Sequence, residues 1–241
     1  MVEIDYSIQY RNWHNDTIEH YESHVNYYKR NFGYLLPNDK NINILDVGCG
    51  YGLALYAFKK MGYQNLKGID ISPQLAKVAQ SKGLNVELVE DSIKWLEEHK
   101  ETFDVIFCLD VLEHIEIDSQ IKFLKAINAA LKINGLFICT VPNANSTFAS
   151  RWLYNDWTHK ISFSEHSLEF LILNSGFSSV SISEIEFMQR PKYPWLIRKS
   201  VLHWLLFKTF RFIRRLEAIA ELGSEGRSIP LSLNLKAVAK K

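Results

Sequence analysis

The sequence predicts a doubly wound α/β fold, a mostly parallel sheet covered by helices on both faces. Three observations predict it. Between Ile42 and Val141, five short runs rich in Val, Ile, Leu and Phe alternate with segments of helical character. None of these runs alternates cleanly between apolar and polar residues, as expected of strands buried on both sides. The first run ends in a glycine cluster that leads directly into a helix, the βα turn of such sheets.

The elements follow in order. Residues 1–40 are polar and aromatic, with Tyr6, Tyr10, Trp13, His14, His20, Tyr21, His24, Tyr27 and Tyr28, and read as one or two helices forming a lid segment up to the turn Pro37-Asn38-Asp39. The core is assigned to residues 41–190. Strand Ile42–Val47 precedes helix Leu53–Met61; strand Leu66–Ile71 precedes helix Pro73–Ser81, with Ser72 as N-cap and Pro73 at the first helical position. Strand Val86–Val89 and helix Ser92–His99 come next, then strand Phe103–Leu109, helix Ser119–Lys132 and strand Leu136–Val141. Helix Ser164–Asn174 opens on Ser164-Glu165-His166-Ser167-Leu168-Glu169, which offers two capping frames, and stops at Gly176. Two further β-rich segments, Val180–Met188 and Leu233–Ala239, bring the sheet to seven strands. A helical insertion, residues 191–230, separates them, and residues 231–241 close the core.

At 47% hydrophobic and 23% charged, the 241 residues describe a soluble globular domain and exclude a disordered or collagen-like chain. The net charge of +1 conceals an asymmetry. Residues 1–190 carry 17 basic and 24 acidic side chains (−7), and residues 191–241 carry 11 and 3 (+8). Cys49, Cys108 and Cys139 lie far apart in or beside apolar runs, which points to buried, reduced thiols and a cytoplasmic protein. The N-terminus lacks the pattern of a signal peptide, and no run of about 18 apolar residues is present to form a transmembrane helix.

The most specific stretch is Ile44-Leu45-Asp46-Val47-Gly48-Cys49-Gly50-Tyr51-Gly52. A dinucleotide fingerprint would place its third glycine at position 53, which here is Leu53. Asp46 at the strand end opposes a pyrophosphate and suits a cofactor with cationic groups. Asp70 ends the second strand, where a carboxylate can accept from both ribose hydroxyls, and Glu90-Asp91-Ser92 follows the third, placed for an adenine edge. On these residues the chain resembles the class I S-adenosylmethionine-dependent methyltransferases, from about Ile42 to Val141 and more loosely to the closing strand. A nicotinamide or flavin nucleotide is the rival cofactor. The resemblance implies a Rossmann-like core in which Gly48, Gly50 and Gly52 make room for the methionine and ribose, Asp70 with Ile71 meets the ribose, Asp91 and Ser92 meet the adenine, and Leu109 and Asp110 lie beside the sulfonium.

The methyl acceptor is read from two further segments. Asp110-Val111-Leu112-Glu113-His114 resembles the Asp/Glu-x-Leu-Glu-His element of quinone O-methyltransferases and of bacterial polysaccharide-cluster sugar O-methyltransferases. Asp156-Trp157-Thr158-His159, followed by Phe163-Ser164, resembles the acceptor loop of the sugar subgroup, and no Asn/Asp-Pro-Pro-Tyr motif of amide- or adenine-nitrogen methyltransferases is present. A hydroxyl is a poor nucleophile at neutral pH, so transfer benefits from a base. His159 oriented by Asp156 is the leading expectation and His114 the second; the bland alternatives are a closing loop and a helix start. Tyr6, Tyr10, Trp13, Asn143 and Trp157 are expected to contact the acceptor, or, for the N-terminal aromatics, only to pack the leading helix. No metal is expected, because His20 and His24 have no acidic ligand pattern nearby. The resulting expectation is methylation of a sugar hydroxyl on a nucleotide- or lipid-linked glycan in surface or capsule polysaccharide biosynthesis. Its rivals are a quinone or other small-molecule O-methyltransferase and an inactive cofactor-binding partner subunit.

On a helical wheel, Ile197, Val201, Leu202, Leu205, Leu206, Phe212, Ile213, Leu216 and Ile219 share one side of the insertion. Lys199, His203, Lys208, Arg211, Arg214 and Arg215 share the other, with Trp204, Phe207 and Phe210 among them. The first reading is that the apolar side packs on the body or on a second subunit as a homodimer. The alternative is peripheral membrane contact through 195–221. Nucleic acid is not expected, since no reading motif accompanies the cations.

Overall fold

The computed structural model describes residues 5–193, 195 and 198–241. Two helices lead, α1 (Tyr6–Tyr10) and α2 (Ile18–Phe32), followed by β1 (Asn43–Val47), α3 (Leu53–Lys60), β2 (Asn65–Asp70), α4 (Pro73–Ser81), β3 (Val86–Leu88), α5 (Ser92–Glu98) and β4 (Phe103–Leu109). A 3₁₀ turn at Leu112–His114 precedes α6 (Ile117–Ala130), β5 (Leu131–Pro142), α7 (Ala149–Asn155), α8 (Glu165–Asn174), β6 (Ser179–Glu184), α9 (Lys199–Leu222) and β7 (Asn234–Lys240). The seven strands form one sheet in the order β3-β2-β1-β4-β5-β7-β6, parallel except for β7, which runs against both its neighbours. The order reverses between β1 and β4, and ligands of such sheets bind at the carboxyl ends of the strands flanking that switch.

The missing alternation in the strands has its cause in the packing. In β4, Val105 and Phe107 face one layer with Phe32 and Phe58, while Ile106 and Cys108 face the other with Phe123 and Leu124 of α6, and all four are fully buried. Both sides of the strand must therefore be apolar. The Phe58 and Phe107 rings lie 4.6 Å apart with Phe32 edge-on to Phe107, tying α2 and α3 to the sheet. Cys49, Cys108 and Cys139 are buried free thiols.

The caps read from the sequence at α4 and α8 are both present. Ser72 caps α4 with Pro73 behind it, and Asp91 caps α5 by accepting from the Lys94 amide. At α8 the capping box is Ser164 with Ser167, the nearer of the two frames. Three boundaries differ from expectation. Helix α6 ends at Ala130 instead of Lys132, and β5 begins at Leu131 instead of Leu136. Phe103 pairs with Leu131 and Val105 already with Leu136, so β5 carries an extra loop, turned by Asn134 at φ +64°. Strand β6 stops at Glu184 and does not run to Met188. There the chain leaves β7 for α2, where the Glu186 backbone exchanges hydrogen bonds with the Asn31 side chain.

Helix α9 turns most of the expected packing side outward and keeps Val201 and Ile219 inward. Among its described residues only Val201 is buried, and the half-buried side is formed by Trp204, Phe207, Arg211, Arg214, Arg215, Ala218 and Ile219. Arg211 pairs with Glu184 at 3.2 Å, and Arg215 donates to the carbonyls of Gly226 and Ile229. Leu202, Leu205, Leu206, Phe210, Phe212, Ile213 and Leu216 are turned to solvent. The expectation that the apolar side packs on the body is therefore corrected: the arginines have specific acceptors there, and the leucines have none. Ile197, placed on that side of the wheel, lies outside the described residues.

Asn143, expected to meet the acceptor, is fully buried and holds the fold together. Its Nδ2 donates to the carbonyls of Pro230 and Ser232, and its Oδ1 accepts from the Asn145 amide. Asn143→Ala would strand these groups in the interior, and a loss of roughly 2–3 kcal/mol is expected. A urea midpoint unchanged from the parent chain would contradict this role.

Candidate active site

Two cavities open along the carboxyl edge of the sheet. The first, of about 490 Å³, runs over the β1 turn, the β2 end and the start of α5, and includes Gly48, Gly50, Asp70, Ile71, Asp91, Ser92 and Tyr6 in its walls. The second, of about 480 Å³, is walled by Tyr27, Tyr28, Phe32, Trp152 and Phe187, with Glu113, His159, Thr140 and Asn234 at its polar end. Tyr10, Trp13, Asp110, His114 and Asp156 line both, so the cavities meet at these five side chains.

The first cavity is shaped by backbone. Gly48 and Gly50 have φ of +70° and +54°. A Cβ on Gly48 would stand 2.5 Å from the Val111 side chain, and one on Gly50 would stand 2.5 Å from the Tyr10 hydroxyl. Only glycine fits both the turn and the close approach of α1 above it. Gly52 lies away from the cavity, against Leu84. Asp70 is pinned by two backbone donors, Gly50 N at 2.7 Å to Oδ2 and Ser72 N at 2.8 Å to Oδ1, which leaves its remaining lone pairs to the cavity. Burial raises its pKa, and these amides partly offset that.

Asp46 sits behind the turn, buried, with Oδ1 unpartnered. Burial first, and the Asp70 charge second, push its carboxyl up to about 8. Asp110 follows β4 at φ +56°, held by Thr140 and Asn234, and burial raises it as well. Two buried carboxylates, Asp46 and Asp70, with Asp110 accessible at the same edge and no cation among them, match a cofactor carrying ammonium and sulfonium charges, and the glycine cradle leaves room for it. Leu109, expected at the cofactor, lines the second cavity instead.

The acid–base groups are arranged differently from expectation. Asp156 does not orient His159. Its Oδ1 accepts from the Thr158 amide at 2.9 Å and the Thr158 hydroxyl at 2.6 Å, and Thr158 Oγ1 is 2.8 Å from His114 Nδ1. Since Thr158 spends its proton on Asp156, His114 Nδ1–H donates to Thr158 and its Nε2 keeps a lone pair. Burial and the neighbouring His159 ring, 4.6 Å away, hold His114 below the ordinary imidazole range. His159 is oriented by the Trp152 carbonyl, at 2.9 Å from Nδ1, with Nε2 3.9 Å from Glu113 Oε1. Glu113 is 1% exposed, neither of its carboxyl oxygens has a partner, and burial raises its pKa well above the usual range.

Trp157 is 87% exposed and faces away from both cavities; the tryptophan of this loop region that does line the acceptor cavity is Trp152, edge-on to Trp13. Tyr27, Tyr28, Thr140, Trp152 and Asn234 had no local signal in the sequence, since they reach the site only through α2, α7 and the last strands. Among the described residues, three groups of side chains could hold a metal ion by the spacing of their ligand atoms: Glu113, His114 and His159; His14, His20 and His24; and the more exposed Glu165, His166 and Glu225.

Asp46 carries a consequence for stability. With its folded value near 8 and an unfolded value of about 3.9, the folded chain holds the extra proton across that window. Stability therefore falls as pH rises through it. Asp46→Asn is expected to flatten that fall, measured as urea midpoints between about pH 5 and pH 8; parallel curves for the two proteins would refute it.

Comparison with known proteins agrees with this geometry. Residues 18–182 match the family model described as a methyltransferase domain. A ubiquinone biosynthesis O-methyltransferase of Xanthomonas campestris pv. campestris is 34% identical over 115 residues, 44% of this chain and 46% of that protein, so the chain spans about half the length of the curated relatives it matches. Among solved structures, a SAM-dependent methyltransferase from Archaeoglobus fulgidus shares the fold with a TM-score of 0.65 at 22% identity, covering 92% of this chain and 94% of that one. A Haemonchus contortus phosphoethanolamine N-methyltransferase in complex with S-adenosyl-L-methionine does so with 0.61 at 16%, covering 97% and 56%. With the glycine cradle at the switch point and the family match across most of the core, the chain belongs to the methyltransferase-domain family, in its S-adenosylmethionine-dependent class.

Proposed function

We propose that the chain O-methylates a hydroxyl on a ring-shaped, lipid-linked acceptor held in the aromatic cavity. The observation that carries this reading is the junction of the two cavities at His114, whose Nε2 is left unprotonated by the Asp156–Thr158 relay. In the first cavity Asp70 and Ile71 would hold the ribose, Asp91 and Ser92 the adenine, and Gly48 and Gly50 the methionine portion. S-adenosylmethionine, when bound, supplies an electrophilic methyl group. The aromatic walls, with Tyr10 and Trp13 above, orient the ring of the acceptor and exclude water. His114 Nε2 would accept the hydroxyl proton as the methyl group passes to the acceptor oxygen and its bond to sulfur breaks, and the Asp156 carboxylate, relayed through Thr158, would stabilise the imidazolium that results. His159, its ring 4.6 Å from that of His114, lines the same cavity as the second candidate base.

A sugar hydroxyl is the acceptor favoured by the Asp-x-Thr-His loop and by the polar end of the cavity, consistent with a glycan-modifying role. A phenol or quinol is the second reading, favoured by the aromatic walls and by the name of the ubiquinone relatives. Helix α9 supports a lipid-linked form of either. Its outward face carries six large apolar side chains from Leu202 to Ile213, and Trp195 beside it is 72% exposed. From Arg190 to Arg215 the chain holds eight cations and no carboxylate. An apolar face rimmed with cations and aromatics fits an anionic bilayer surface, while no described helix is long and apolar enough to cross a membrane.

Two measurements test the reading. His114→Ala is expected to lower kcat roughly 10²–10⁴-fold with S-adenosylhomocysteine affinity nearly unchanged, and Thr158→Val to lower kcat by a smaller factor. The acid limb of the parent profile should lie below about 6.5, the ordinary imidazole value. The acceptor screen sets nucleotide sugars and polyprenyl-linked sugars beside demethylated quinones; cofactor binding without turnover on any of them would leave the partner-subunit reading in its place. For α9, the parent chain should co-float with anionic liposomes and Leu205→Glu/Leu206→Glu should not. A parent that stays in solution as a dimer, which the same substitutions split, would assign the face to a second copy.

A further inference from the structure

His14, His20 and His24 form a cluster at the rim of the acceptor cavity that the methyl-transfer reading leaves without a task. His20 and His24 are one helical turn apart on α2 and so share a face. His14 reaches them across the α1–α2 connection, where Asn15 Oδ1 accepts from both the amide and the hydroxyl of Thr17, the N-cap of α2. His14 Nδ1 and His20 Nε2 are 3.1 Å apart, and one ring nitrogen of each of the three histidines lies within 4.8 Å of the other two. Ring centroids are separated by 5.3 Å, 5.7 Å and 4.2 Å.

The His14–His20 nitrogens and the two ring separations from His14 are close to those of a metal centre, and the 4.2 Å His20–His24 pair would open by about 1 Å around an ion. Nitrogens bound at about 2.0–2.1 Å to a tetrahedral ion stand about 3.3 Å apart, with ring centroids about 5.2 Å apart. A hydrogen bond could account for His14 and His20 alone, but not for a third ring converging on the same point. The Nδ1–H of His24 donates to the His20 carbonyl at 2.8 Å, which fixes its tautomer and leaves Nε2 as the lone-pair nitrogen. Such a bond to a backbone carbonyl is the usual orienting contact of a metal-binding imidazole. No carboxylate belongs to the group. An all-imidazole set selects zinc-class ions over Mg²⁺ and Ca²⁺, which prefer oxygen ligands.

We infer that His14, His20 and His24 bind a zinc-class divalent ion, leaving a fourth position for water or for an oxygen of a molecule in the aromatic cavity. His14 and His24 both line that cavity. The ion would fasten the α1–α2 connection to α2 and so hold Trp13, beside His14, and Tyr10 over the junction of the two cavities. Metal binding at this site is independent of which acceptor is methylated, and of whether one is.

The test uses the full chain stripped of metal with chelator. Zn²⁺ titrated by calorimetry should bind as a single ion per chain and raise the Tm, Co²⁺ should show the visible bands of a four-coordinate site, and Mg²⁺ should do neither. His20→Ala and His24→Gln should each weaken Zn²⁺ binding by about 100-fold or more and abolish the rise in Tm. S-adenosylhomocysteine titration verifies that both variants are folded, since neither side chain lines the cofactor cavity. Absence of Zn²⁺ binding by the parent chain overturns the inference. So does binding that survives both substitutions, and binding lost only in His114→Ala, which would move the ion to Glu113, His114 and His159.

Discussion

One carboxylate organises the ligand edge of this sheet. Asp70 stands at the end of β2 and accepts an amide from the β1 turn at Gly50 and another from the first residues of the β2–α4 connection at Ser72. It thereby joins two strand ends whose loops would otherwise move separately. The turn can deliver its amide only because Gly48 and Gly50 adopt left-handed backbone that other residues resist. With that turn in place, Tyr10 can lie directly on Gly50, and the N-terminal segment is seated on the sheet. The cofactor cleft, its roof and the wall shared with the acceptor cavity all follow from this contact.

The electrostatics are built on the same edge. Asp46, Asp70, Asp110 and Glu113 are all held above their ordinary titration range by burial, with few cations of the protein's own to relieve them. Such a concentration of buried acid is costly unless a bound group supplies positive charge. A sulfonium cofactor would supply it on one side of the junction, and under the proposed mechanism a protonated His114 would supply it on the other. The −7 body of the chain is thus a property of its binding site as much as of its surface, and the +8 segment belongs to a separate structural task.

The fold was largely legible because it rests on local pattern. Apolar runs, glycine turns and caps such as Ser72 and Ser164 place nearly every element within a few residues. The cofactor edge was legible for the same reason, since Gly48, Gly50, Asp70 and Asp91 each stand at a strand end. The acceptor side was not. Asp156 and His159 are close in sequence, yet the loop turns Asp156 toward Thr158 and hands the relay to His114, a partner 44 residues away. Trp157 and Asn143 carry the right chemistry in the wrong orientation, one facing solvent and the other consumed by carbonyls of the last segment. The wheel of α9 assigned most of its large apolar side chains to the interior, whereas the inward side combines Val201 and Ile219 with Trp204, Phe207 and the arginines. What decides that assignment is Glu184 on β6, 27 residues before Arg211, and no periodicity within the helix carries that information.

Helix α9 is consequently attached to the body more by charge than by oil. Few apolar side chains are buried beneath it, and its grip is an Arg211–Glu184 pair with two hydrogen bonds from Arg215. Dissolved salt weakens ionic contacts while leaving apolar attraction intact or stronger. The inner and outer faces of one helix therefore respond to ionic strength in opposite directions. The surrounding electrolyte sets the balance between a helix latched to its own domain and one that is free to hold on to something else.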